Sequence, residues 1–135
     1  MGLLSKARHV FFVVFLFSAT ASAHEDHHHV SGDPILTMVD IVMGLKHFPT
    51  RAERDQLKDI ASHTKDPNIK VIANALIHMR HSVKEEDKAK LEKIIADKSA
   101  LGDVRKLAEI VSSINHKPSR SDKQELAALS HHHQQ

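Results

Sequence analysis

The chain has 135 residues with no Cys, Trp or Tyr, and its 19 Lys and Arg nearly balance 17 Asp and Glu. Without cysteine it cannot form a disulfide, a thiolate metal site, a cysteine nucleophile or a CxxCH haem attachment. The missing Trp and Tyr and the balanced charge argue against binding of carbohydrate, nucleic acid or anionic lipid. A chain of this length is expected to form one small domain.

The first segment has the pattern of a secretory signal peptide. Lys6 and Arg8 precede an apolar run at 10–17, and small residues at 21–23 suit a signal peptidase. The eight residues of that run fall well short of the roughly 20 that span a bilayer. We therefore expect residues 1–23 to be removed, leaving a periplasmic or secreted protein with no membrane association.

An internal repeat organises the remaining chain. Three segments share one pattern: an aliphatic residue, eleven residues, His, nine residues and Leu. The segments begin at Ile35, Ile69 and Val104, so the pattern repeats after 34 and then 35 residues. Within each first half, apolar residues recur at offsets 0, 3, 4, 7 and 10. These offsets fall in one stripe about 120° wide, which predicts an amphipathic helix with one buried face.

Helix-start signals divide the chain into six segments. In chain order they are Asp33-Pro34, the capping box 50–53, Asp66-Pro67, the capping box 82–85, Gly102-Asp103 and the capping box 119–122. The predicted helices are 34–47, 51–63, 67–81, 84–97, 103–115 and 120–130. No segment has the alternation of a strand.

The predicted fold is all-α, with about six short helices arranged as three helical hairpins. Stacked hairpins of this length form α-solenoids, and a compact helical bundle is the alternative. The period resembles that of tetratricopeptide repeats, but their Trp, Leu-Gly and Tyr signature positions have no counterpart here. Residues 24–33 are expected to form a flexible His-rich leader, 34–130 the helical repeat domain and 131–135 a His-rich tail.

Histidine is the residue in clear excess, with 13 copies in the chain. Imidazole binds Cu²⁺, Ni²⁺ and Zn²⁺, and its ordinary pKa of about 6.5 leaves most rings neutral and able to coordinate at neutral pH. The best candidate ligands lie in the leader, at His24, His27, His28 and His29. Cleavage before His24 would add an α-amino group as a further ligand. The alternative is a polar leader that binds metal only weakly.

His78 and His81 form a second candidate pair. A spacing of three residues on one helix can bring two imidazoles to a single ion. Two ligands make an incomplete site, so further ligands would have to come from the leader or a second chain. The alternative is a pair of solvent-exposed polar residues.

The repeat also places one histidine at the same position in each unit, at His47, His81 and His116. These three are open to interpretation as a row of metal ligands. The simpler prediction is that each lies at the carboxyl end of its helix and interacts with the unpaired carbonyls and the helix dipole. His63 is expected to be a helix-end residue for the same reason.

No nucleophile elbow, HExxH motif, phosphate loop or dinucleotide fingerprint is present, so we expect neither catalysis nor an organic cofactor. The histidine excess favours a transition-metal-binding protein, such as a buffer, chaperone or sensor component, on a helical scaffold. The repeat equally permits a helical adaptor that binds another periplasmic protein without metal. No nucleic-acid partner is expected.

Overall fold

The computed structural model describes residues 32–134, so the predicted signal peptide and most of the predicted leader, including His24, His27, His28 and His29, lie outside the described residues. The described part is an all-α bundle, as predicted, with two isolated backbone bridges and no strand. Its helices are α1 (Pro34–Gly44), α2 (Arg51–His63), α3 (Pro67–His78), α4 (Glu85–Ala96), α5 (Gly102–Ser113) and α6 (Arg120–His133). None of these six is long and apolar enough to cross a membrane.

Most of the predicted start signals cap their helices. The Asp33 carboxylate accepts a hydrogen bond from the backbone of the first turn of α1, and Asp66 does the same for α3. Both halves of the capping box are present at 50–53 and at 119–122. The box predicted at 82–85 is wrong, because Ser82 forms a backbone bridge and the buried Val83 follows it, so α4 begins only at Glu85.

The repeated apolar stripe forms the core. Every residue at the five predicted offsets is buried in all three units. A sixth repeated position, at offset 6, is also buried in each unit; these residues are Ile41, Ala75 and Ile110. The buried face of α1, α3 and α5 is therefore wider than the stripe, because these three helices contact one another as well as the surrounding helices.

The six helices close into a ring rather than an open array. α1, α3 and α5 pack together at the centre, while α2 packs on α3, α4 on α5 and α6 back on α1. This last contact joins the final unit to the first one. Of the two predicted alternatives, the solenoid and the compact bundle, the structure is therefore the compact bundle. Each of its three repeat units contacts the other two around the ring.

The predicted carboxyl ends of the three central helices are wrong in the same way. α1, α3 and α5 end at Gly44, His78 and Ser113, each three residues before the repeat histidine. The next residue is buried like the rest of the stripe, but its backbone is extended, with ψ of 127° at Leu45, 140° at Met79 and 128° at Ile114. An apolar pattern indicates which side chains are buried, but it does not show whether the backbone of a buried residue is helical. The predicted helices were therefore too long at their carboxyl ends.

The last helix continues to His133, three residues beyond its predicted end at 130. The Nδ1 atom of His133 lies 2.6 Å from Asp33 Oδ2, and its Nε2 atom lies 3.1 Å from Asp103 Oδ2. His133 is only 20% exposed. The side chain therefore connects the end of α6 to the beginnings of α1 and α5, and the His-rich tail is part of the bundle as far as this residue.

Candidate functional site

Three loops of one design meet at the end of the bundle where α1, α3 and α5 finish. Each loop begins with the buried extended residue that ends its helix, and its fifth residue is again buried: Pro49, Val83 or Pro118. The three residues between these anchors are exposed, and the central one is the repeat histidine. Two buried anchors per loop fix the short exposed segment on the bundle end.

The repeat histidines come together as a cluster, which we call the His triad: His47, His81 and His116. The ring centroids are 6.0 Å apart for His47 and His81, and 5.7 Å apart for His47 and His116. Those of His81 and His116 are 4.8 Å apart. Residues separated by 34 and 35 positions in the sequence therefore form one compact site, with one side chain from each unit.

Backbone contacts hold two of the three loops together. The backbone N–H of His116 donates to the carbonyl of His81, and Ser82 pairs with Asn115 in an antiparallel bridge. His116 has φ of 68°, the one positive value for a non-glycine residue within 32–134. This left-handed conformation is uncommon for a residue with a Cβ atom, although histidine adopts it more often than most residues, and the backbone contacts of the loop hold it here.

A neighbouring amide orients one ring of the triad. The Nδ1 atom of His116 lies 2.7 Å from Oδ1 of Asn115. An amide oxygen only accepts hydrogen bonds, so the ring donates to it in the tautomer that carries the proton on Nδ1, and that tautomer leaves the Nε2 lone pair of a neutral ring available. Hydrogen bonds that select the tautomer in this way are characteristic of metal-binding histidines.

The ring separations can be compared with those around a metal ion. With Zn–N bonds of about 2.0–2.1 Å and tetrahedral angles, the centroids of two coordinated imidazoles are about 5 Å apart. Within residues 32–134, however, no group of three or more His, Cys, Asp or Glu side chains is already arranged as a set of metal ligands. The rings of His81 and His116 have this separation, whereas both pairs that include His47 are wider, so binding of one ion requires the rings to approach and their nitrogens to turn towards a common point. All three residues are exposed, and one ring, that of His116, is held by its contact with Asn115.

These observations correct the interpretation of the repeat histidines as helix caps. The helices are capped instead by the backbone of Leu45, Met79 and Ile114. The N–H group of each of these residues donates to a carbonyl of the preceding turn. His63, by contrast, is the last residue of α2, and its Nδ1 atom lies 3.0 Å from the carbonyl oxygen of Asp59. The helix-end prediction is confirmed for this residue.

The predicted pair of His78 and His81 does not share a helix, because α3 ends at His78. The Nδ1 atom of His78 lies 3.0 Å from Asp87 Oδ2, while His81 belongs to the triad. Asp87 is the buried charged residue of the described core, and Lys90 lies 3.1 Å from its other oxygen. Burial raises the pKa of Asp87, but the hydrogen bonds from His78 and Lys90 outweigh it, so this pKa lies below its usual range.

His47 and His116 were the site residues that the sequence-based ligand assignment left out. The signal that could have found them is the repeat itself. An exposed residue that recurs at one position in three units contributes nothing to the core, and cyclic closure of the units brings its three copies to one axis. The assignment failed because each histidine was considered on its own helix, and the sequence did not show whether the repeat units form an open array or a closed bundle.

Comparison of the chain with known protein families, with curated proteins and with solved structures finds no match.

Proposed function

We propose that this chain is a periplasmic or secreted transition-metal-binding protein, and that the His triad is the binding site of its folded domain. The single observation that supports this proposal is the meeting of His47, His81 and His116 with ring centroids 4.8–6.0 Å apart. Three imidazoles on one face are the protein ligand set of zinc sites that keep one position open.

The chemistry of the ligands favours a borderline metal. Three neutral nitrogen donors suit Zn²⁺, Cu²⁺ or Ni²⁺, whereas Mg²⁺ and Ca²⁺ prefer oxygen ligands. Structural zinc sites are usually closed by four protein ligands. Three exposed ligands leave a fourth position for water or another donor, which suits a protein that takes up and releases a metal ion, such as a buffer or chaperone.

The leader histidines are proposed as an accessory set of ligands. Ten residues, 24–33, precede α1 and extend at most about 35 Å. The 11 residues of α1 span about 16 Å, the approximate distance from the start of this helix to the triad end. The leader is therefore long enough to deliver a donor to the open position.

A competition titration of the processed protein against a chromophoric chelator tests this proposal with Zn²⁺, Cu²⁺ and Ni²⁺. The triad variant replaces His47, His81 and His116 by Gln, and a second variant lacks residues 24–29. A matched control replaces the exposed His131 by Gln, so one imidazole is lost outside the triad.

We expect one tight ion per chain, lost in the triad variant, retained in the control and weakened but retained without the leader. Equal affinity of the triad variant and the unmodified protein would reject the triad as the site. If no variant, including the unmodified protein, binds any of the three metals, metal binding is wrong and the adaptor hypothesis is the one left.

A further inference from the structure

A polar groove lies directly beside the His triad. It has a volume of about 400 Å³, and its lining includes His81 itself and Phe48, the neighbour of His47. The rest of the lining comes from the end of α3, from the loop that follows it and from α2. The groove and the triad are therefore parts of one continuous surface at the same end of the bundle.

The lining of the groove is strongly basic. Of its eight residues three are Arg54, Arg80 and Lys84, two are histidines, and none is acidic. The side chains of Arg80 and Lys84 form no hydrogen bond or ion pair with any other residue of 32–134. Arg80 and Lys84 therefore contribute positive charge to the groove without a paired carboxylate, whereas His78 of the same lining is paired with Asp87.

Two contacts hold the side chain of Arg54 at the rim of the groove. Its Nε atom donates to the carbonyl of Pro49 at 3.1 Å, and its guanidinium carbon lies 5.5 Å from the centre of the Phe48 ring. This cation–π contact accounts for a Phe48 side chain that remains 50% exposed at the rim of the groove. The terminal nitrogens of the guanidinium donate no hydrogen bond to another residue of 32–134, so they are available as donors.

We propose that the groove binds a small di- or tricarboxylate. Two guanidinium groups offer planar pairs of donors that match carboxylate oxygens, and an ammonium group adds a point charge. The volume lies at the lower end of the range for small-molecule sites. Binding of the anion depends on the groove cations alone. One further step rests on the proposed metal function: a carboxylate in the groove lies next to the open position of a metal on the triad and can act as its fourth ligand.

Calorimetric titration of citrate into metal-free processed protein, at low ionic strength, tests the groove. Arg80→Gln and Lys84→Gln each remove one charge from an exposed side chain, and Lys84 provides no side-chain cap to α4, so both variants should fold normally. We expect each to weaken citrate binding about tenfold, the usual effect of one charged hydrogen bond. The matched control is Arg51→Gln, which removes an exposed arginine from the same bundle outside the groove lining.

Three further measurements complete the test. Replacement of His47 and His116 by Gln removes two triad ligands but no groove residue, so citrate binding should persist even if the metal proposal is wrong. Inorganic phosphate serves as a second probe and should bind at least tenfold more weakly than citrate, because it presents one anionic group to the three cations where citrate presents three. Chemical shift changes on adding citrate should be confined to the residues around Phe48 and 77–84.

No citrate binding, or the same loss of affinity in Arg51→Gln as in Arg80→Gln, would overturn the inference. Equal affinity for phosphate and citrate would overturn its assignment to carboxylates. Shift changes centred away from the groove would do the same for its location.

Discussion

A metal ion on the His triad should stabilise the whole domain, because its ligands come from all three repeat units. Unfolding of any one unit removes a ligand. A metal that binds only the folded state adds about 2.7 kcal/mol to the free energy of unfolding when its free concentration is a hundred times its dissociation constant. The unfolding entropy of a bundle of this size is about 0.2 kcal/mol/K, so the midpoint temperature should rise by about 12 °C.

The assay is thermal unfolding followed by circular dichroism at 222 nm, with and without Zn²⁺, and with a chelator to reverse the effect. Single replacements of His47, His81 or His116 by Gln should each remove most of the shift. The exposed His131→Gln variant should keep it. A protein lacking residues 24–29 should also retain a shift, because the triad ligands are unchanged.

One pattern would refute the reasoning directly. If deletion of the leader abolished the shift while the three triad variants kept it, the metal would be bound by the leader and the ring separations would have no functional meaning. A shift that survived in every variant would point to binding elsewhere on the bundle.

Three other outcomes follow from contacts of the described residues. Replacement of Asn115 by Ala removes the hydrogen-bond acceptor for His116 and should weaken metal binding about tenfold at unchanged thermal stability without metal, as read by the chelator titration. His133→Gln breaks the connection between α6 and two other helices and should lower the free energy of unfolding in urea by about 1–2 kcal/mol, whereas no change would mean that the contact is not stabilising. Since the pKa of Asp87 is lowered in the folded state, the stability it contributes is present above its unfolded pKa of about 3.9 and is lost as the pH falls through the folded value. Urea unfolding between pH 3 and 7 should therefore show a smaller loss of stability on acidification for Asp87→Asn than for the unmodified protein.

The helices and the core could be predicted because both depend on local patterns. A stripe of apolar residues with helical periodicity must be buried, and all of its positions are buried in the structure. Capping residues such as Asp33 and Thr50 act within one turn of the chain, so short segments contain enough information to locate them. The failure at Ser82 arose because a backbone bridge from a distant loop competes with the local capping signal.

The site depends on contacts that no local pattern contains. Periodicity could not reveal that α6 packs on α1, and it is this closure that brings His47 towards His81 and His116. It also could not reveal that the chain leaves the helix at a buried residue and presents the histidine three positions after the helix end. The identity of the repeated residue was visible in the sequence, but its meaning depended on how the units meet.

The closed ring connects the repeat with the site. An open array of three units would place equivalent loops along a line, one unit apart, whereas a ring of three units directs them towards a common axis. A single histidine in one repeated loop then suffices to bring three imidazoles together. The third loop differs from the other two: His116 has a left-handed backbone, its Nδ1 atom lies 2.7 Å from Asn115 Oδ1, and its ring centroid lies 4.8 Å from that of His81. The backbone contacts of this loop account for the conformation, because the N–H of His116 donates to the carbonyl of His81 and Asn115 pairs with Ser82. The contacts that join the two loops therefore also place their imidazoles side by side.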